Sequence, residues 1–295
     1  MDSLALAPPP DLIARVSALL GVAVTGGRPV AGGYTHAARW RLTLADGGAV
    51  FAKLATDEAT AGWLRAEWRI YGTVEAPWLA RVAGWQDGPR PVLLLEDLSG
   101  ARWPPPWTPQ DVDRVLAATR AISETPPPAG LSRLEDARAG LRGWPTVADD
   151  PAPFLGLGLT DEAWLRRNLP TLVQAEAAAR LDGDRLCHLD LRSDNLCFVG
   201  ERVVVVDWNW ATVGNPQADL AFWLPSLRAE GGPPPSQVMP DAPELAAQVS
   251  GFFAAAAGLP IIPHAPRVRA VQRAQLETAL PWACEALGLE PPRAR

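Results

Sequence analysis

The sequence predicts an α+β fold in two lobes, a small antiparallel-sheet lobe followed by a mainly helical one. Three observations carry this. Two strand-like runs flank a glycine turn at Asp46-Gly47-Gly48, helical patterning dominates after Pro109, and the Trp- and Pro-rich stretch Trp103-Pro104-Pro105-Pro106-Trp107 separates the two compositions. The boundary is placed just before that stretch, giving lobes of residues 1–98 and 99–295.

In the first lobe, Arg39–Leu44 and Ala49–Leu54 surround the turn, a hairpin signal. Ala31-Gly32-Gly33-Tyr34-Thr35-His36 is a glycine-containing turn entering the first of these strands. A helix is expected from about Asp57 to Val74, with acidic residues in its first turn. Pro91–Leu95 is a short apolar run suited to a buried strand, ending in Glu96-Asp97-Leu98. The second lobe reads as helices over about 109–123, 135–143, 160–182, 216–229, 242–257 and 266–287. Proline clusters at 126–128 and 233–235 mark loops. The one clear β element there is a hairpin from Leu196 to Val206.

Composition narrows the function. The net charge of −6 and pI near 5.2 argue against a broad electrostatic grip on nucleic acid or an anionic membrane. No run approaches the roughly 20 apolar residues of a membrane span, and the N-terminus has no basic region of a signal peptide. Three cysteines without metal-ligand spacing point to free thiols and a reducing, cytoplasmic setting. Cys187 and Cys197 are read as small buried hydrophobes.

Of the 27 basic residues only Lys53 is lysine. Its survival in an arginine-rich chain hints that a compact ammonium is wanted there rather than a planar guanidinium; chance and a solvated edge position are the plain alternatives. Glu67 adds weight. At helical spacing its neighbours are Trp63, Leu64, Ile70 and Tyr71, so it falls within an apolar face where an unpaired carboxylate is costly. It needs a cation, and Lys53 is the obvious one, unless the helix rolls Glu67 to the lobe edge.

The second cluster lies around the Leu196–Val206 hairpin. A three-residue loop, Gly200 to Arg202, sets Asn195 opposite Asp207, within reach of a shared cation. A two-residue loop makes them diagonal, and sharing then requires a pleat broken at the strand ends. Amide and carboxylate oxygens are hard donors suited to Mg²⁺. A carboxylate on the preceding loop, Asp190, can orient and deprotonate an attacking hydroxyl, and the sequence requires no cation beside it.

His188-Leu189-Asp190-Leu191-Arg192-Ser193-Asp194-Asn195, Val206-Asp207-Trp208 and Gly214–Ala221 together resemble the aminoglycoside phosphotransferase and choline kinase-like superfamily. The resemblance implies a protein-kinase-like fold and transfer of the ATP γ-phosphate to a small-molecule hydroxyl. It implies Asp190 as catalytic base, Asn195 and Asp207 as Mg²⁺ ligands, and Arg192 near the transferred phosphate. Lys53 would reach the α- and β-phosphates with Glu67 as its partner. The turn holding Gly33 and Thr35 would cover phosphates, though it lacks the full glycine-rich pattern and a plain hairpin turn fits as well. The main chain of Glu96 to Leu98 would pair with the adenine edge. Asp219 is read as structural, capping a helix and bracing the catalytic loop.

A protein kinase fits poorly, because Trp-Asn follows Asp207 and no A-P-E segment appears. A nucleotide-binding pseudokinase is the alternative from another class. The acceptor is open between an antibiotic and a metabolic amino alcohol or sugar, and oligomeric state and ATP-versus-GTP preference are open too. Asp149-Asp150 and Asp161-Glu162 would suit a polycationic acceptor, or are ordinary surface charge.

Overall fold

The computed structural model describes residues 7–30, 37–263 and 265–292. In chain order the first elements are α1 (Pro10–Leu20), β1 (Val24–Pro29), β2 (Ala38–Leu44), β3 (Ala49–Leu54), α2 (Glu58–Tyr71), β4 (Val82–Gln86) and β5 (Val92–Glu96). Then come α3 (Pro109–Glu124), α4 (Arg138–Leu141), α5 (Trp144–Asp149), α6 (Ala152–Leu155), α7 (Glu162–Ala178), β6 (Arg185–Cys187), β7 (Leu196–Val199), β8 (Arg202–Val205) and β9 (Thr212–Gly214). The chain ends in α8 (Pro216–Ala229), α9 (Pro235–Val238), α10 (Pro243–Ala257) and α11 (Val268–Leu287). Contacts group the chain into two compact units. One runs up to Trp103 and takes in Asp194–Ala211; the other is Pro104–Ser193 with the chain from Thr212 onward.

The first unit is built on an antiparallel sheet ordered β1-β2-β3-β5-β4. Its register pairs Lys53 with Arg39 on one side and Leu93 on the other, so the lysine sits in the central strand and not at an edge. Strand alternation then sorts β3. Val50, Ala52 and Leu54 join a core with Leu12 and Val16 of α1 and Val92 and Leu94 of β5, which leaves Lys53 on the opposite face. Helix α2 starts where Asp57 Oδ1 accepts the Thr60 N–H at 2.8 Å and Thr60 Oγ1 accepts the Asp57 N–H at 3.0 Å.

Strands β1 and β4 escape a sequence reading because each carries turn-like residues and an irregular register. In β1 the glycine is needed: a Cβ on Gly27 would stand 2.8 Å from the Arg41 carbonyl oxygen of the paired strand. The β7–β8 hairpin packs within this same unit. Arg102 and Phe198 exchange two backbone hydrogen bonds, and Val205 N–H donates to the Trp78 carbonyl at 2.8 Å.

The second unit is mainly helical, with β6 and β9 as a short antiparallel pair. The helix expected over 135–143 is broken into a 3-10 turn at Leu134–Ala137 and the short α4. The break has a visible cause. Buried Glu176 of α7 accepts the Gly143 and Trp144 N–H groups at 2.7 and 2.6 Å, and Trp144 Nε1 donates to the Ala247 carbonyl of α10 at 3.0 Å. The chain is thereby turned to start α5 against α10. Among the described residues, no helix is long and apolar enough to cross a membrane.

Candidate active site

In the first unit three charged side chains meet. Lys53 Nζ donates to Glu67 Oε2 at 2.7 Å and to Asp207 Oδ1 at 2.8 Å. Lys53 is 6% exposed and Glu67 1%. Burial opposes the Lys53 ammonium, but the two carboxylates outweigh it and hold its pKa above the ordinary lysine value. Glu67 is raised too, by burial first and then by Asp207, against the pull of Lys53. The causes differ: the two carboxylates raise Lys53, whereas burial is the main force on Glu67, which also feels the charge of Arg39.

Asp207 reaches the lysine by leaving the strand. The register Leu196↔Val205 through Val199↔Arg202 makes a two-residue loop of Gly200 and Glu201, with Gly200 at φ +59°. The three-residue loop is therefore not formed, and Asn195 faces Val206, whose N–H donates to the Asn195 carbonyl at 2.8 Å. Regular alternation stops there. Asp207 takes a left-handed conformation (φ +67°, ψ +58°) and opens the 3-10 turn Trp208–Trp210, so its side chain no longer follows the pleat. Trp208 is fully buried and tilted against Trp78 at 4.9 Å, anchoring the turn that presents Asp207. The Asn209 amide, with its nitrogen turned to Asp207, lies 3.1 Å from Asp207 Oδ1.

Asn195 and Asp207 carry hard oxygen donors, and Asp207 is one of the two carboxylates on Lys53. Among the described residues no group of three or more His, Cys, Asp or Glu gathers as a metal site. A cation here would rest on two protein ligands and take water and phosphate oxygens for the rest, which is the habit of Mg²⁺. The donor chemistry fits that ion.

In the second unit, the segment after β6 carries Asp190. Asp219, in the first turn of α8, accepts the His188 N–H at 2.7 Å and the Leu189 N–H at 2.8 Å. Between them Leu189 is held at φ +62°, a conformation a leucine seldom adopts. Buried His188 takes the Asp190 N–H on Nδ1 at 3.2 Å. Arg192 Nη2 lies 3.4 Å from Asp190 Oδ2, so a cation does stand beside this carboxylate although the sequence required none. Asp219 braces the loop as expected, whereas the α8 cap is Asn215, whose side chain accepts the Gln217 N–H.

Burial pushes the Asp219 carboxyl from the ordinary 3.8 up to about 6, against the pull of its two N–H donors. The native chain then holds a proton that the unfolded chain has released. This group's stabilising contribution is full below about pH 4 and is lost as pH rises through about 6. The stability difference between wild type and Asp219→Asn, which cannot titrate, is expected to be about 2 kcal/mol larger at pH 4.5 than at pH 7. Denaturation midpoints measure it, and a difference independent of pH would count against the buried titration.

The remaining candidates divide. Glu96 turns its carboxylate to Arg202, which binds both oxygens at 2.7 and 2.8 Å, and to the Arg81 N–H. Leu98 offers its carbonyl to Trp103 Nε1 at 3.2 Å. Gly33 and Thr35 lie outside the described residues. The three cysteines are buried free thiols, with burial raising Cys197 and Cys284 to about 12 and Cys187 higher. Of the acidic pairs, Asp161 caps α7 and Asp150 Oδ1 accepts the Ala152 N–H, so local structure already uses both. Two side chains escaped the sequence reading: Arg202, paired to Glu96, and Glu230, paired to Ser193 and Trp107. Sequence separations of up to 123 residues left no local signal for them.

A small antiparallel sheet with a buried central-strand lysine, and a helical unit with a carboxylate-held loop, make this a protein-kinase-like fold. Residues 26–249 match the family described as the phosphotransferase enzyme family (APH), and the chain belongs to it. Its class is that of small-molecule phosphotransferases.

In structure the chain is similar to spectinomycin phosphotransferase APH(9)-Ia, solved with ADP and spectinomycin. That likeness has 13% identity, covers 93% of this chain and 94% of that one, and has a TM-score of 0.60. It is also similar to a thermostable mutant of APH(4)-Ia, solved with AMP-PNP and hygromycin B (14% identity, 91% and 97% covered, TM-score 0.59). A third is a choline/ethanolamine kinase family protein from Mesorhizobium loti (16% identity, 94% and 97% covered, TM-score 0.57). Among curated proteins none matches the sequence.

Proposed function

We propose that this chain transfers the γ-phosphate of ATP, with Mg²⁺, to a hydroxyl of a small molecule. The observation that carries the reading is the buried Lys53 ammonium shared between Glu67 and Asp207. A buried lysine shared between two carboxylates is poorly explained as core packing. The arrangement is well suited to align a lysine for phosphate oxygens beside a cation site. Structural relatives solved with ADP and with AMP-PNP support a nucleotide as the donor.

In this reading residues 1–98 form the nucleotide-binding lobe, and residues 99–295 carry the catalytic loop and the acceptor site. Lys53 engages the α- and β-phosphates while Glu67 holds its ammonium in place. Backbone groups of Glu96 to Leu98 meet the adenine edge, and the turn with Gly33 and Thr35 covers the phosphates. Asn195 and Asp207 would hold Mg²⁺, which when bound neutralises charge on the phosphate oxygens. Asp190 accepts the proton of the attacking hydroxyl. Arg192, already beside Asp190, offers a guanidinium to the transferred group.

The test is an ATP-consumption screen across hydroxyl-bearing antibiotics, amino alcohols and sugars, with Asp190→Asn as control. Relatives bound to spectinomycin and hygromycin B, and one from the choline/ethanolamine kinase family, set the range of that panel. Mg-ATP is expected to raise the thermal midpoint, and at least one acceptor is expected to drive consumption that the control lacks. A thermal shift with Mg-ATP and no turnover on any acceptor would instead indicate a nucleotide-binding scaffold.

A further inference from the structure

Asp219 is not the only carboxylate of α8's neighbourhood to bind the Asp190 segment. Glu230, the residue that closes α8, accepts the Ser193 hydroxyl on Oε1 at 2.6 Å and the Trp107 indole N–H on Oε2 at 2.8 Å. Both oxygens are therefore used. Trp107 is in turn held edge-on to Trp223 of α8 at 5.7 Å.

We propose that Glu230 is a positioning residue for phosphoryl transfer, gripping the Asp190 segment at Ser193 while Asp219 grips it at His188 and Leu189. The inference rests on the reading of Asp190 as catalytic base. Asp219 and Glu230 stand about 16 Å apart along the helix axis, at 1.5 Å per residue. The two ends of one helix, with Pro225 between them, thus hold the segment at two separated points, which a single anchor at Asp219 does not do. The distal anchor also suits its chemistry. A carboxylate can receive two converging donors in charge-assisted bonds, and indole N–H is a donor that only an acceptor can satisfy. The Pro-rich stretch ending at Trp107 is secured to the same carboxylate.

The substitutions separate this role from plain packing. Glu230→Ala and Ser193→Ala are each expected to lower kcat by about tenfold, with KM for ATP changed less than about twofold, because the loss is one of orientation. Glu230→Gln can turn its oxygen to Trp107 and its amide nitrogen to the Ser193 oxygen, so it is expected to restore most of the rate. The double variant Ser193→Ala/Glu230→Ala is expected to be no slower than Glu230→Ala alone, since Ser193→Ala then removes a bond already lost.

Hydrogen exchange supplies a readout apart from activity: amides of 188–193 lose protection in Glu230→Ala while those of α10 and α11 do not. Wild-type kcat in Glu230→Ala, additive losses in the double variant, or unchanged exchange at 188–193 would overturn the proposal. If Asp190→Asn keeps its turnover, the reading of the base fails instead, and exchange still decides whether Glu230 holds the segment.

Discussion

Asp190→Asn is expected to reduce turnover by roughly 10²–10⁴-fold, the usual worth of a positioned general base, while Mg-ATP binding changes less than about twofold. The amide matches the carboxylate in shape, its oxygen can still accept from Arg192, and the backbone N–H of residue 190 still donates to His188 Nδ1, so the loop should stand. It cannot take a proton. The loop's other supports, the Asp219 bonds to His188 and Leu189, do not involve the substituted group. Single-turnover kinetics on an acceptor from the screen, together with calorimetric titration of Mg-ATP, measure the two halves separately. Turnover within threefold of wild type would remove Asp190 from the chemistry. Loss of nucleotide binding along with turnover would show that it acts through the fold.

Lys53→Met is expected to cost both stability and rate. The substitution leaves Glu67, 1% exposed, with no ammonium and with Asp207 nearby. Removing one partner of a buried ion pair typically costs about 3–5 kcal/mol. The paired change Lys53→Met/Glu67→Leu takes away the stranded carboxylate as well, and is expected to recover most of that loss. Activity is expected to behave differently. Both variants lose the ammonium proposed to meet the phosphates, so kcat/KM for ATP is expected to fall on the order of 10²–10³-fold and not to recover. Thermal midpoints and ATP kinetics of the two variants give the comparison. Recovery of rate in the double variant would mean that Lys53 serves the fold alone.

Much of this arrangement was legible in the chain because it rests on local spacing. Glu67 falls within an apolar helical face, and the structure buries it against Lys53. The hairpin around Asp46-Gly47-Gly48 forms with Gly47 at φ +86° and the Gly48 N–H on Asp46 Oδ1. Helices α3, α8, α10 and α11 lie close to their expected spans.

Other features depend on partners distant in sequence. The β7–β8 loop is one residue shorter than a cross-strand Asn195–Asp207 pair requires, and a left-handed Asp207 takes the place of strand geometry. Hydrophobic alternation cannot reveal such a break. The α4–α5 region is shaped by Glu176, more than thirty residues downstream. Strands β1 and β4 are held by neighbours rather than by their own residues, whose glycines read as turns. Helix α1 did carry signals, with a proline at its first position, Asp11 in its first turn and Gly21 left-handed at its end.

The chain's single lysine has a practical consequence for chemical labelling. Apart from the α-amino group, Lys53 is the only primary amine that an acylating reagent can find, and it is buried and hydrogen-bonded to two carboxylates. Any reagent that modifies this ε-amine reports on one place in the molecule. On the proposed reading, a nucleotide bearing an acylating group would mark this one peptide, slowly because the two carboxylates keep the ammonium protonated, and protection by ATP would track site occupancy without a known acceptor.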